Sequence, residues 1–97
     1  MSLAVKRDGE FVGEVQFFAF DGRGGCEIAI RIARKHQGKG LGSSALEGSL
    51  AFLKGAGIER IFCDVMKENL PSVSLFQKHF REIESADLNR RRFVREL

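Results

Sequence analysis

Tryptophan and tyrosine are absent from the 97 residues, so any chemistry that needs a phenol is excluded. The aromatic content is phenylalanine alone. Cysteine and histidine are scarce: Cys26, Cys63, His36 and His79 are all there is, which makes a structural zinc site improbable. Both cysteines fall in apolar, strand-like runs and read as buried thiols in a reducing compartment rather than a disulfide. No apolar run approaches the ~20 residues of a membrane helix, and the N-terminus lacks the basic, apolar, small-residue order of a signal peptide. The expected location is cytoplasmic, with no membrane partner. The charge imbalance is small, +3. It favours anionic ligands without demanding nucleic acid. No internal repeat, linker or low-complexity segment interrupts the chain. A hydrophobic share of 43% and a charged share of 30% suit one globular domain over residues 1–97, near the small end of what can bury a core.

Leu3 to Lys6 reads as a short strand, and Asp8-Gly9 as a tight turn between apolar runs. Phe11 to Phe20 follows as a long strand, then a second turn at Asp21-Gly22-Arg23-Gly24-Gly25. From Cys26 to Ala33 the alternation is clean, with Cys26, Ile28, Ile30 and Ile32 on one face and Glu27, Ala29 and Arg31 on the other. The period then changes. Leu46, Leu50 and Leu53 mark a helix from Ala45 to Lys54, closed by Gly55 and Gly57. Ile58 to Met66 is another strand, parallel to Cys26–Ala33 because a helix lies between them. Asn69 caps a second helix with Pro71 in its first turn and Val73, Phe76 and Phe80 as the buried stripe. Arg81–Glu84 and Arg91–Leu97 read as closing strands. The expected fold is α+β, one mixed and mostly antiparallel twisted sheet with two helices, in the order βββ-α-β-α-ββ.

Between the alternating run and the first helix stands Gln37-Gly38-Lys39-Gly40-Leu41-Gly42-Ser43-Ser44. Strand, glycine turn and helix in that order present free backbone N–H groups at a helix start, where glycines let an anion approach. A diphosphate is the natural guest. The Gly-Lys-Ser/Thr ending of a P-loop is missing. A dinucleotide fingerprint Gly40-x-Gly42-x-x-Ala45 sits about eight residues past the end of the strand, and no acidic residue ends a second strand at the proper distance. A third pattern fits better: Gln37-x-x-Gly40-x-Gly42, opening a helix five residues after Ile32.

With that pattern the chain resembles the GNAT superfamily of acyl-CoA N-acyltransferases. The resemblance runs from about Leu3 to Leu97. Asp8-Gly9-Glu10-Phe11-Val12-Gly13 looks like the family's second hairpin, and Cys26 to Ile32 like its central strand. Asp64-Val65, with Asn69-x-x-Ser72-Val73-x-Leu75-Phe76, looks like its next strand and helix. The resemblance implies acetyl-CoA as co-substrate and no metal. By that likeness the main chain of Ile30 and Ile32 would pair with the pantetheine arm. The N–H groups of Gln37, Gly38, Lys39, Gly40, Leu41, Gly42 and Ser43 would hold the pyrophosphate, with charge from Lys39 and from Arg34 or Lys35. Asn69, Ser72 and Phe76 would border the cofactor, Asn69 serving as helix cap, cofactor contact or both. Glu27 lies where relatives often carry an acid. It is a candidate base for the ammonium nucleophile, with Asp64 a weaker one, or it is an ordinary hydrogen-bonded strand carboxylate.

The chain departs from the pattern in three places. Phe76 stands where many relatives have the tyrosine that protonates the departing thiolate, and a phenyl ring cannot donate. Lys78-His79-Phe80-Arg81 lacks the glycine that usually follows this helix; His79 there reads as structural or solvated. The family's first strand and first two helices, which wall the acceptor site, have no counterpart. An acceptor would then be held by a partner subunit, by the loop near Asp21–Gly25, or not at all, and the strand around Phe17, Phe18 and Phe20 would be left uncovered. A homodimer is therefore expected. The basic end Arg90, Arg91, Arg92 and Arg95 is a solvated strand face or a patch for an acidic substrate; no nucleic-acid motif accompanies it. The resulting expectation is an N-acetyltransferase acting on a primary amine in a ternary complex. The alternative is a non-catalytic acyl-CoA-binding module, or half of a composite enzyme.

Overall fold

A computed structural model describes residues 1–97. Its elements are β1 (Ser2–Arg7), β2 (Glu10–Phe18), β3 (Gly25–Ile32), α1 (Leu41–Gly55), β4 (Arg60–Met66), α2 (Leu70–His79), β5 (Arg81–Ile83) and β6 (Arg90–Glu96). One six-stranded sheet runs in the order β1-β2-β3-β4-β6-β5. The α+β order read from the sequence is the order observed.

The turn chemistry explains the meander. Asp8 and Gly9 both take positive φ, 52° and 80°, the pair that a tight hairpin matching the strand twist requires. At the second turn, Asp21 Oδ1 accepts from the backbone N–H of Arg23 at 2.7 Å and of Gly25 at 2.9 Å. Those two bonds hold the Asp21 carboxyl below the usual carboxylate range.

Both helices cover the same face of the sheet. Leu46, Leu50 and Leu53 of α1 and Val73 and Phe76 of α2 join Val15, Phe17, Cys26, Ile28, Ile61, Cys63, Val65 and Phe93 in one buried cluster. Each such aliphatic side chain contributes about 1.5–3 kcal/mol by leaving water. The helix α1 ends in a Schellman motif: Ile58 N–H donates to Leu53 O at 3.0 Å and Gly57 N–H to Lys54 O at 3.1 Å, with Gly57 at φ 85°. Cys26 and Cys63 are buried free thiols.

Three expectations need correction. The helix expected from Ala45 begins at Leu41, because Gly40, at φ 76°, caps it through its backbone conformation rather than through a side chain. Phe17 is not on the uncovered surface: it is fully buried and stacks on Phe52 at 6.2 Å, and only Phe18 and Phe20 are exposed. Strand β2 stops at Phe18, where Ala19 turns to φ 51°. No helix is long and apolar enough to cross a membrane.

Candidate functional site

Strand β3 is held by β2 from Phe18–Glu27 to Gly13–Ile32. Its parallel ladder to β4 has only three pairs, Gly25–Arg60, Cys26–Ile61 and Glu27–Phe62. Beyond Glu27 the two strands part, because β4 follows β6 in an unbroken register from Arg60–Glu96 to Met66–Arg90. A wedge opens between them toward their C-terminal ends. Ala33 N–H donates to Val12 O at 2.8 Å. By the alternation of an antiparallel ladder, the main-chain groups of Ile32 and Ile30 then point away from β2, into the wedge.

At the mouth of the wedge lies a cleft of about 540 Å³. The glycine loop forms one side through Gln37, Gly38, Gly40, Leu41, Gly42 and Ser43. Ile30 and Ile32 line its floor, and Asn69 and Ser72 come from the start of α2. Gln37 ties the loop to the strand: its Nε2 donates to Ile32 O at 3.0 Å. Gly38 and Gly40 both need positive φ, 77° and 76°, and a Cβ at either would point into open space, where a ligand can approach. No protein acceptor pairs with the N–H groups from Gly38 to Ser43; the first bonded amide is Ser44, to Gly40 O at 3.1 Å. A row of unpaired donors at the N-terminus of a 15-residue helix suits an anion. Asn69 is a cap as expected, its Oδ1 accepting from Ser72 N–H at 3.4 Å.

Two residues assigned to the cofactor are not brought to the cleft. The Lys39 side chain is exposed and does not line the cleft. Phe76 falls on the stripe of α2 that faces the sheet: it is buried, edge-on to Phe80 at 5.1 Å and stacked on Phe93 at 6.2 Å. Sequence reasoning missed Pro71, Ser74, Leu75 and Lys78, which also line the cleft. Their helical spacing along α2 was the available signal. It also missed His36, whose ring nitrogens are buried at the cleft edge without hydrogen-bond partners, Nε2 lying 3.7 Å from Glu10 Oε1. Lys35, at 3.2 Å from Glu10, holds that carboxyl below its usual range.

The structure does bring Glu27 and Asp64 together, on the face of the sheet away from the helices and at the closed end of the wedge. Arg92, across from Asp64 in the β4–β6 register, clamps both. Its Nη1 and Nη2 donate to Glu27 Oε1 and Oε2 at 3.0 and 2.9 Å, and Nη1 lies 3.1 Å from Asp64 Oδ2. The guanidinium sits 4.8 Å over the Phe62 ring. The bond to Glu27, and secondarily the one to Asp64, raise the Arg92 pKa against the opposing effect of burial. Two carboxylates and one guanidinium leave the cluster with a net negative charge. No group of three or more His, Cys, Asp or Glu side chains is placed to hold a metal ion.

Comparison with known proteins agrees with this geometry. The family model described as the acetyltransferase (GNAT) family matches residues 1–80. The uncharacterized N-acetyltransferase YobR of Bacillus subtilis is 43% identical over 58 residues, 60% of this chain and 23% of YobR. The GNAT domain of S. lividans PAT superposes with a TM-score of 0.90 at 25% identity, covering 99% of this chain and 60% of that one. The structure of yncA from Salmonella typhimurium, with its cofactor acetyl-CoA, has the same fold: TM-score 0.84, 21% identity, 99% of this chain and 64% of the other. The chain thus spans less than two thirds of each of these relatives. With the match running from β1 through α2 and the fold superposing over its length, the chain belongs to the GNAT acetyltransferase family.

Proposed function

We propose that this chain binds acetyl-CoA along the wedge between β3 and β4 and transfers the acetyl group to a primary amine. The observation that carries the reading is the three-pair ladder between two neighbouring parallel strands. It leaves the main-chain groups of Ile28, Ile30 and Ile32 that face β4 without a strand partner, over about 13 Å with the loop at one end and Glu27 at the other, Ile32 O alone being taken by Gln37 Nε2. The unpaired N–H groups of Gly38 to Ser43 fit the diphosphate, aided by the α1 dipole. The N–H and carbonyl of Ile30 and the N–H of Ile32 fit the amides of the extended arm, Ile32 O being held by Gln37. Asn69 and Ser72 form the opposite wall.

At the closed end, the negative charge of Glu27 and Asp64 favours an ammonium acceptor. Each Glu27 oxygen that accepts from Arg92 keeps a second lone pair, so Glu27 can take the ammonium proton directly or through a water. The amine nitrogen then attacks the thioester carbonyl; the C–N bond forms, the C–S bond breaks, and the second proton lost from nitrogen as the amide forms passes through water to the departing thiolate. Phe76 gives that thiolate no proton. Positioning supplies most of the rate. Phe18 and Phe20, exposed beside this site, are where a second copy of the chain would complete the acceptor wall as a homodimer.

A non-catalytic acyl-CoA-binding module, or half of a composite enzyme, is the second reading. It is favoured by the phenyl ring at position 76 and by Arg92 holding both Glu27 oxygens. Thiol release from acetyl-CoA against small amines, an amino sugar, a peptide N-terminus and a lysine peptide separates the two. The transferase reading expects turnover with at least one acceptor, and a loss of about 100-fold in kcat/KM for Glu27→Gln with binding kept. Binding without turnover on any acceptor points to the module.

A further inference from the structure

The imidazole of His79 links α2 to α1 through side chains that the proposed transfer does not use. Its Nε2 lies 3.3 Å from Ser43 Oγ, and its Nδ1 lies 3.1 Å from Glu47 Oε1. Ser43 is in the first turn of α1, and Glu47 is one turn further along the same face. The His79 side chain is 20% exposed, so solvent reaches it poorly. Hydroxyl, imidazole and carboxylate in this order serve nucleophilic catalysis in other settings. Here the hydroxyl stands among the unpaired N–H groups proposed to hold a diphosphate. On that reading an anion, not an acyl carbonyl, would fill the space before it, and the arrangement suits binding rather than acyl transfer.

The donor sense of Ser43 depends on the protons carried by His79. When the imidazole is neutral and its one N–H points at Glu47, Nε2 is an acceptor. The Ser43 hydroxyl then gives its only proton to Nε2 and offers lone pairs to the cleft. When both ring nitrogens are protonated, Nε2–H donates to Ser43 Oγ, and the hydroxyl proton is free to meet an anion. The charged groups that meet His79 are Glu47 from α1 and Arg95 from β6, and Lys78 and Arg81 lie within two residues of it in the chain, Arg81 turned to Glu96. Arg95 Nη1 donates to the His79 carbonyl at 2.8 Å.

We infer that Glu47, His79 and Ser43 form a relay in which the protonated His79 turns the Ser43 hydroxyl into a donor for a phosphate oxygen of the bound nucleotide. His79 is a positioning residue in this relay, and Ser43 makes the contact. The inference rests on the acyl-CoA reading of the cleft.

Calorimetric titration with dephospho-CoA tests it. That ligand's diphosphate diester keeps its charge across about pH 5 to 8, the window in which imidazoles titrate. The wild type binds about fivefold tighter near pH 6 than near pH 8, the scale of one hydrogen bond becoming available to a charged acceptor. Ser43→Ala has the same affinity at both pH values, Ser43→Thr keeps the difference, and His79→Gln loses it. The relay is overturned if Ser43→Ala keeps the wild-type difference, which would move the titration to another group such as His36. It is equally overturned if wild-type binding is tight but flat with pH. A folded wild type that binds at neither pH overturns the acyl-CoA reading, and the relay falls with it.

Discussion

Arg92 and Glu27 form a two-point ion pair across β4, guanidinium nitrogens to carboxylate oxygens at 3.0 and 2.9 Å, although 65 residues separate them in sequence. The pair joins the central strand to the C-terminal hairpin on the side of the sheet that the helices leave bare. Its side chains are 26% and 19% exposed, so solvent screens it only in part.

Removing the cation leaves two carboxylates facing each other. Breaking a fully buried pair costs about 3–5 kcal/mol. With partial exposure, Arg92→Met is expected to lose about 1–2 kcal/mol, read as a lower urea midpoint at unchanged slope. Arg92→Lys recovers part of the loss, because an ammonium cannot reproduce the two-pronged bond. Wild-type stability in Arg92→Met would show that the pair is a surface ornament.

The buried thiols make stability sensitive to alkali. Burial, then the neighbouring carboxylates of Asp64 and Glu27, push the Cys63 thiol from 9.0 up to about 12. The unfolded chain releases this proton near the lower value and the folded chain near the higher one. The stability contribution is complete below about pH 9. It is lost between about pH 9 and 12, at up to about 1.4 kcal/mol per pH unit. Tyrosine, which titrates in the same range, is absent. Urea melts at pH 7 and pH 10 should show Cys63→Ala less stable at pH 7 by about 1–2 kcal/mol from lost packing, with the gap narrowed at pH 10. A gap that stays constant would contradict the buried neutral thiol.

The cleft was legible in the sequence because its parts are local. The change of period around Gln37–Gly42, the alternation of Cys26–Ile32 and the cap at Asn69 each involve neighbours along the chain. What escaped depends on register between distant segments. Arg92 meets Glu27 only because β6 pairs with β4 so that Arg92 lies opposite Asp64. An arginine-rich strand looks the same in any register. His79 reaches Ser43 because α1 and α2 approach closely; a Cβ on Gly42 would stand 3.3 Å from Leu75. The start of α1 was placed too late because apolar periodicity begins at Ala45, whereas the first turn carries the glycine and serines that leave its N–H groups open. Phe17 and Phe18 differ only in which side of β2 they occupy, and the strand itself put one in the core and the other in solvent.

The central claim is that the N–H row of Gly38 to Ser43 holds the diphosphate of acetyl-CoA. Calorimetric titration of acetyl-CoA into wild type, Gly40→Asn and Gly40→Asp addresses it most directly. Asparagine and aspartate both tolerate the left-handed backbone that Gly40 adopts at φ 76°, so both variants are expected to fold. They differ by one negative charge in the space where the diphosphate is placed. The account predicts wild-type binding on the order of micromolar, modest weakening in Gly40→Asn, and loss of at least about tenfold more in Gly40→Asp. Equal affinity of the two variants, or a folded wild type that does not bind, would contradict it.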